Sequence, residues 1–417
     1  MDLVTEAADI AAISEALGNA PAVAFDLEFA SADRLVPRLC LLQVSWVDEE
    51  RHRMFDAQGA SIVASILAIE PEIRLVDPLA TDVRPIIDAL AAHPCVIAHA
   101  PRQDLALLAV RHDLATMPGL VDTQLMAAFA GLGDQVGLAT LANEQLGTNL
   151  AKDQQWTAWE RRPLTPAQLA YAASDVRYLH VLHALLARAL GPAKLGWVRA
   201  ESQQILADAL EAAAVTPETA WEQLSGVRAL DATALAGAVA LAAWRQRTAI
   251  ELDRPLGQVL ADKNLLDLAR HRPQDASAVR AQKGIAPIAK TRAEDIFETL
   301  ARAVPAPAGE ARALPRAASP RAQRWAEMLL AIAHVVADET KIAARLLATR
   351  GDAEQFARVA DEHGLAATAA LPARATWRAD VLGAAWAGWL AGTVAIVGDP
   401  SSPRGVRLSP ATDQSVR

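Results

Sequence analysis

Residues Ala22–Phe29 read AVAFDLEF, a strand's length of apolar side chains interrupted by two carboxylates. Successive strand side chains point to opposite faces, so residues two apart share one. Asp26 and Glu28 therefore project together, with Leu27 opposite. Two carboxylates side by side repel unless something cationic lies between them. Oxygen ligands of this kind suit Mg²⁺ or Mn²⁺. A strand end wetted by solvent is the plainer alternative.

The surrounding chain is organised to hold such a strand. Leu39–Trp46, Ile73–Asp77 and Cys95–His99 read as further strands. Asp82–Ala92, Asp104–His112, Thr123–Ala130 and Leu138–Leu146 read as helices. Thr165-Pro166 opens a longer helix, with a capping Thr and Pro at the first helical position. It is expected to reach Leu190 and to end at Gly191-Pro192. Strands followed by strand-helix units imply an α/β domain. From Trp197 onward Ala, Leu, Arg and Glu dominate at helical spacing. The 417 residues suggest about two to four domains. The expected division is an α/β domain over 1–195, helical domains over 215–303 and 321–398, a Pro/Ala/Arg-rich linker over 304–320, and a disordered tail over 399–417.

Charge is split along the chain. Residues 1–150 hold 21 Asp+Glu against 8 Lys+Arg, and the remainder holds 28 against 32. The acidic segment does not attract polyanions by itself, but it has room for a carboxylate cluster built for divalent metal, and the near-neutral remainder for a nucleic-acid surface. Cys40 and Cys95 are too few for a disulfide framework or a four-thiolate zinc site. The acidic start MDLVTEAADI lacks the basic region of a secretory signal. Together these point to a reduced, cytoplasmic protein. Val381–Gly398 carries no charge over eighteen residues, the length of a membrane span. Its Ala, Gly, Trp and Thr favour a buried helix running into a strand or loop, so no membrane association is expected. Gly131-Leu-Gly133 fits neither nucleotide-binding loop pattern, and no nucleotide cofactor is expected.

Further carboxylates stand beside the first pair. Tyr171 and Asp175, in YAASD, lie four apart on the predicted helix and share a face. Asp104 follows His99-Ala-Pro-Arg-Gln just after a strand. As a helix cap it would stabilise by about 1 kcal/mol, and the same holds for Asp122.

In this order, DLE (Asp26–Glu28), HAPRQDL (His99–Leu105), VDTQ (Val121–Gln124) and YAASDVRYL (Tyr171–Leu179) resemble the DEDD exonucleases of the RNase H-like fold. The Tyr-x3-Asp ending points to the DEDDy branch. RRPLTPAQLAYAASDVRYL (Arg161–Leu179) resembles the ribonuclease D family within it. Glu251–Ala269 and the Lys283-Gly284-Ile285 turn are similar to an HRDC domain. Glu339–Arg350 and Trp377–Leu390 resemble a second, more divergent HRDC-like region. The fold class this implies is an α/β RNase H-like exonuclease domain followed by all-α HRDC and HRDC-like domains.

The resemblance implies a metal-dependent 3′→5′ exoribonuclease. It would trim the 3′ ends of tRNA precursors and other small structured RNAs, releasing nucleoside 5′-monophosphates. Asp26, Glu28, Asp104 and Asp175 would hold two divalent ions, Mg²⁺ or Mn²⁺, and Tyr171 would position the attacking water. The partner is then RNA with a free 3′ end, and the chain is expected to act as a monomer. His99 reads either as a contact to the substrate backbone or as a side chain packed under the site. Gln43 is a candidate for facing the terminal nucleotide. Lys152 and Arg162 are candidate phosphate contacts. The helical part carries eight cations and eight acids over residues 251–300, so a basic face there requires the signs to segregate.

Two departures from the family pattern stand out. Ala158-Trp159 replaces an Asp-Trp pair, with Trp156 just ahead of it. Asp48–Pro71 is longer than the usual connection. A DNA exonuclease of the same branch is a rival reading, disfavoured by the HRDC-like tail. A catalytically silent RNA-binding protein is another, disfavoured by the presence of all four acids and the Tyr.

Overall fold

The computed structural model of the chain describes residues 2–51, 53, 69–150, 154, 157–305, 318–402 and 404–411. Lys152, Trp156, most of the 48–71 segment and residues 306–317 of the expected linker lie outside the described residues.

The first domain is built on a six-stranded mixed sheet. Its strands are β1 (Leu3–Val4), β2 (Ala22–Ala30), β3 (Arg38–Val47), β4 (Glu72–Val76), β5 (Val96–Ala98) and β6 (Leu120–Asp122). Their order is β1-β4-β3-β2-β5-β6. The β2–β3 and β3–β4 pairs are antiparallel, and β1–β4, β2–β5 and β5–β6 are parallel. The helices are α1 (Ala7–Asn19), α2 (Arg84–Ala92), α3 (Arg102–His112), α4 (Thr123–Phe129), α5 (Leu138–Leu146), α6 (Pro166–Arg177) and α7 (Leu179–Ala213).

Period-two patterning assigns the two faces of the sheet. Val23, Phe25, Leu27, Leu42 and Val44 pack with Ile10, Ile13, Ile86, Leu90, Leu105 and Leu108 of α1, α2 and α3. Ala22, Ala24, Leu41, Ile73 and Leu75 face Ala172, Ala173 and Val176 of α6. The alanines on both sides of that interface let α6 lie close to β2. The helix starts as the sequence requires: Thr165 and Gln168 form a capping box, with Pro166 in the first turn.

The helix expected to stop at Gly191-Pro192 breaks there and resumes. Gly191 sits at φ 69°, a conformation open to glycine, and Pro192 starts the next stretch. That stretch returns to the sheet, placing Leu206 and Ala209 in the α1–α3 core. The first domain's core therefore extends beyond residue 195.

The helical units repeat one plan. The first opens with α8 (Ala232–Leu252) and the second, farther along, with Pro320–Thr340, each 21 residues long. Each long helix ends on a left-handed residue, Asp253 at φ 46° and Lys341 at φ 57°. A four-residue helix follows, Leu256–Val259 (α9) or Ala344–Leu347, and then a longer one, Asp262–His271 (α10) or Arg350–His363.

Both left-handed turns dock on the first domain. Asp253 Oδ1 accepts from the Leu35 backbone N–H at 3.1 Å, and Gln258 Nε2 donates to the Ala32 carbonyl at 3.2 Å. Lys194 donates to the carbonyls of Phe129 and Thr340 at 2.9 and 2.8 Å, and the Ala343 N–H donates to the Ala128 carbonyl. A Cβ on Gly131 would come within 2.9 Å of the Lys341 carbonyl oxygen, so the Gly131-Leu-Gly133 loop, which fits no nucleotide-binding pattern, is a docking point. The second unit shares one core with α4, α5 and α7, through Phe129, Leu141, Leu329, Phe356 and Trp386.

The uncharged stretch ends as a short helix (Ala384–Leu390) and a strand (Val394–Gly398). No helix among the described residues is long and apolar enough to cross a membrane. Over the described part of the tail, residues 399–402 and 404–411, the expectation of disorder is corrected. Val406–Pro410 pairs antiparallel with Val394–Gly398, and Arg404 holds Asp338 at 2.8 Å. Leu408 packs against the shared core, which gives this short strand the burial that its own sequence did not advertise.

Candidate active site

β2 carries Asp26 and Glu28 on its α6 face, and α6 carries Tyr171 and Asp175 one turn apart. Carboxylate oxygens of Asp26, Glu28 and Asp175 all lie within 4.8 Å of one another. Asp104 stands in the first turn of α3 and is 9% exposed. It lies outside that triplet, but close enough for its charge to act on Glu28 and for Asp26 to act on it.

The Asp104 turn has its own support. Ala100 is held at φ 55°, a left-handed conformation that costs a non-glycine residue about 1 kcal/mol. Asp122 Oδ1 accepts from the Ala100 and Gln124 backbone N–H groups at 2.9 and 2.8 Å. Asp122 is thus the cap the sequence indicated, and it also fixes the loop leading to Asp104.

Burial pushes every carboxyl of the cluster upward. Desolvation raises Glu28 to about 10, reinforced by the charges of Asp26, Asp175 and Asp104. Desolvation also raises Asp26, Asp104 and Asp175, and the Asp26 charge adds to the last two. Asp175 Oδ2 is buried with no hydrogen-bond partner among the described residues. An all-oxygen donor set, mutually repelling and incompletely satisfied, fits a divalent cation. Tyr171 is raised by burial and then by Asp175, Glu28 and Asp26, so its phenol stays protonated at neutral pH. Its ring lies 6.2 Å from that of Trp159, tilted by 42°.

Three other candidates do not join this cluster as substrate contacts. His99 is packed: Nε2 lies 3.0 Å from the Val136 carbonyl and Nδ1 2.9 Å from the Thr123 hydroxyl. A carbonyl only accepts, so Nε2 carries a proton, and the Thr123 hydroxyl beside Nδ1 also reaches the Ala98 carbonyl at 3.0 Å. Desolvation lowers this ring to about 4. Folded His99 thus resists protonation that the unfolded chain accepts, and its stabilisation is lost as pH falls from 6.5 towards 4. In that window His99→Gln is expected to show a shallower loss of melting temperature than wild type, measured by circular dichroism.

Arg162 is spent inside the domain. Its Nε and Nη2 grip the two oxygens of Asp77, both at 2.6 Å. Nη2 also reaches the Cys40 carbonyl, and Nη1 reaches the carbonyls of Trp159 and Arg161. No donor is left for a phosphate, which corrects that expectation. Gln43 is fully buried beneath α6 and cannot face a nucleotide from there.

In the first helical unit four of the eight cations are engaged by acids. Arg254, Arg270, Arg280 and Arg292 pair with Asp33, Asp267, Glu294 and Glu251. Asp77 and Asp253 are structural acids that sequence reasoning missed, because their partners lie 85 and about 220 residues away.

A sheet carrying acids at one end of β2, closed by a helix with Tyr and Asp, and followed by helical units, defines the class of 3′→5′ exonucleases with appended HRDC domains. Family models agree: residues 1–190 match the 3′-5′ exonuclease model and residues 235–300 the HRDC domain. Ribonuclease D of Acidiphilium cryptum is 32% identical over 383 residues, spanning 90% of this chain and 89% of that one. Ribonuclease D of Granulibacter bethesdensis is 31% identical over 389 residues, spanning 91% and 90%. The crystal structure of Escherichia coli RNase D superposes with a TM-score of 0.74 at 26% identity, covering 94% of this chain and 98% of that one. The chain belongs to the ribonuclease D family, and it is a 3′→5′ exoribonuclease of a metal-using class.

Proposed function

We propose that Asp26, Glu28, Asp104 and Asp175 hold two divalent ions, Mg²⁺ or Mn²⁺, and that Tyr171 positions the attacking water. The observation that carries this is the convergence of three half-buried carboxylates within 4.8 Å, with a fourth acting on one of them electrostatically. Bound cations would supply charge for activating water and for stabilising the leaving 3′ oxygen. The protein's own part is placement. Asp26 and Glu28 are fixed by a paired central strand, and Asp175 by a capped helix. Tyr171 keeps its proton, so it orients water by hydrogen bonding and does not act as a base. Lys152 is retained as a candidate phosphate contact.

The substrates we propose are tRNA precursors and other small RNAs with a free 3′ end, shortened to release nucleoside 5′-monophosphates. The Escherichia coli relative is described as an exoribonuclease involved in structured RNA processing, which supports this choice. The exposed lysines Lys263, Lys283 and Lys290, which make no ion pair among the described residues, are candidates for RNA backbone contacts. The chain would act as a cytoplasmic monomer, with units over 215–303 and 321–398 flanking a linker at 304–320.

The test compares wild type with Tyr171→Phe on a tRNA precursor bearing extra 3′ nucleotides and on a matched DNA oligomer. The expected result is one-nucleotide shortening of the RNA and a kcat about 10²–10⁴-fold lower in the variant, with KM unchanged. Equal kcat in the two proteins, or faster shortening of DNA, contradicts the reading.

A further inference from the structure

Gln43 is the most deeply buried amide near the cluster, at 0% exposure. Neither its Nε2 nor its Oε1 has a hydrogen-bond partner among the described residues. Buried amides are almost always satisfied, and an unsatisfied one loses its hydration for no return. Its position shows what it is aimed at. In the β2–β3 register Gln43 lies directly opposite Asp26, and on its other side it lies opposite Leu75. Directly opposed side chains of an antiparallel pair have Cβ atoms about 5 Å apart. Asp26 is therefore the polar neighbour across the strands, and Leu75 offers nothing to bond. Along β3, Ser45 shares this face, but its hydroxyl already donates to the Val176 carbonyl at 3.0 Å. α6 closes the space above with Asp175, whose Oδ2 is also buried without a partner.

We propose that Gln43 is a positioning residue for the metal-binding carboxylates, its Nε2 donating to Asp26 or Asp175 once a divalent cation has drawn them into their ionised, ligating orientation. This rests on the metal-site reading above and deepens it. The amide waits in the metal-free protein and is satisfied in the loaded one. A carboxylate that binds a cation through one oxygen has the other free to accept, and such outer partners fix ligand orientation.

The assignment predicts opposite effects with and without metal. Gln43→Met keeps the volume and removes both unsatisfied atoms. The full-length Met variant in EDTA should melt at or above the wild-type temperature. Its Mn²⁺ affinity, measured by isothermal titration, should fall roughly ten- to a hundredfold. On 5′-labelled RNA, kcat should fall while KM stays unchanged. Gln43→Asn keeps the amide but withdraws it by one methylene, and should lose Mn²⁺ affinity in the same direction. Wild-type affinity and kcat in a folded Met variant would overturn the proposal, and so would an Asn variant with wild-type affinity if the Met variant does not fold. A Met variant that melts below wild type in EDTA, with Asn unaffected in binding, would show a packing role only. Wild type that takes up no Mn²⁺ would remove the metal-site reading itself, and that result is seen before any Gln43 variant is made.

Discussion

Asp26→Asn is expected to lower exonuclease activity by about a thousandfold or more while raising the melting temperature of the protein in EDTA. The two effects have one cause. Asp26 is the carboxylate whose charge acts on Glu28, Asp104, Asp175 and Tyr171 alike. Without a cation, that repulsion destabilises the folded chain. With a cation, the same charge is a ligand. Losing it forfeits several kcal/mol of transition-state stabilisation, and each 1.36 kcal/mol is a factor of ten in rate. The pH dependence follows from the direction of the shifts. Glu28 moves from 4.5 to about 10 on folding, so between those values the folded state holds a proton that the unfolded chain has released. Stability in EDTA therefore falls as pH rises through that range. The Asn variant, with one source of repulsion gone, should show a shallower fall, and added Mn²⁺ should stabilise wild type more at pH 9 than at pH 6. Thermal melts across pH beside a nuclease assay check both halves. An inactive variant that also melts lower in EDTA would show that Asp26 serves packing.

Arg162→Met is expected to cost about 3–5 kcal/mol of stability, because it leaves the buried Asp77 carboxylate without its cation. Asp77 is 4% exposed and Arg162 25%, and the pair is bidentate at 2.6 Å on both arms. The guanidinium also ties β3, through Cys40, to the loop ahead of α6, through Trp159 and Arg161. Arg162→Lys should recover only part of the loss, since an ammonium cannot supply the planar fork. Replacing both partners with apolar residues should be milder than removing one. Denaturant unfolding gives the stabilities. A wild-type midpoint for Arg162→Met, with weakened RNA binding, would restore the phosphate contact suggested by the sequence.

The contrast between these residues shows what a single sequence discloses. Asp26 with Glu28 and Tyr171 with Asp175 are each local pairs. Strand and helix periodicity alone put each pair on one face, so their chemistry was visible before the fold. That the two pairs meet depends on the alanines of β2 and α6, and the order of the motifs supplied that link through family resemblance. Arg162 reads in the sequence as a candidate phosphate contact because Asp77 is 85 residues away. His99 could not be placed because Val136, its acceptor, lies on a loop with no strong signal. Gln43 reads as a candidate for facing the nucleotide, since nothing in LCLLQVSW shows that α6 covers it. α1 and β1 were legible in principle, with Ile10, Ile13 and Leu17 at helical spacing behind an acidic start. The last strand was not, because two alternating apolar residues become a strand only when a partner and a core are supplied.

The most direct measurement is a time course on single-stranded RNA labelled at its 5′ end, run with Mg²⁺, with Mn²⁺ and with EDTA. A ladder shortening one nucleotide at a time from the 3′ end, present with either metal and absent in EDTA, is the expected result. Shortening that persists in EDTA, or internal fragments in place of a ladder, would contradict a carboxylate-held metal site acting on the 3′ terminus.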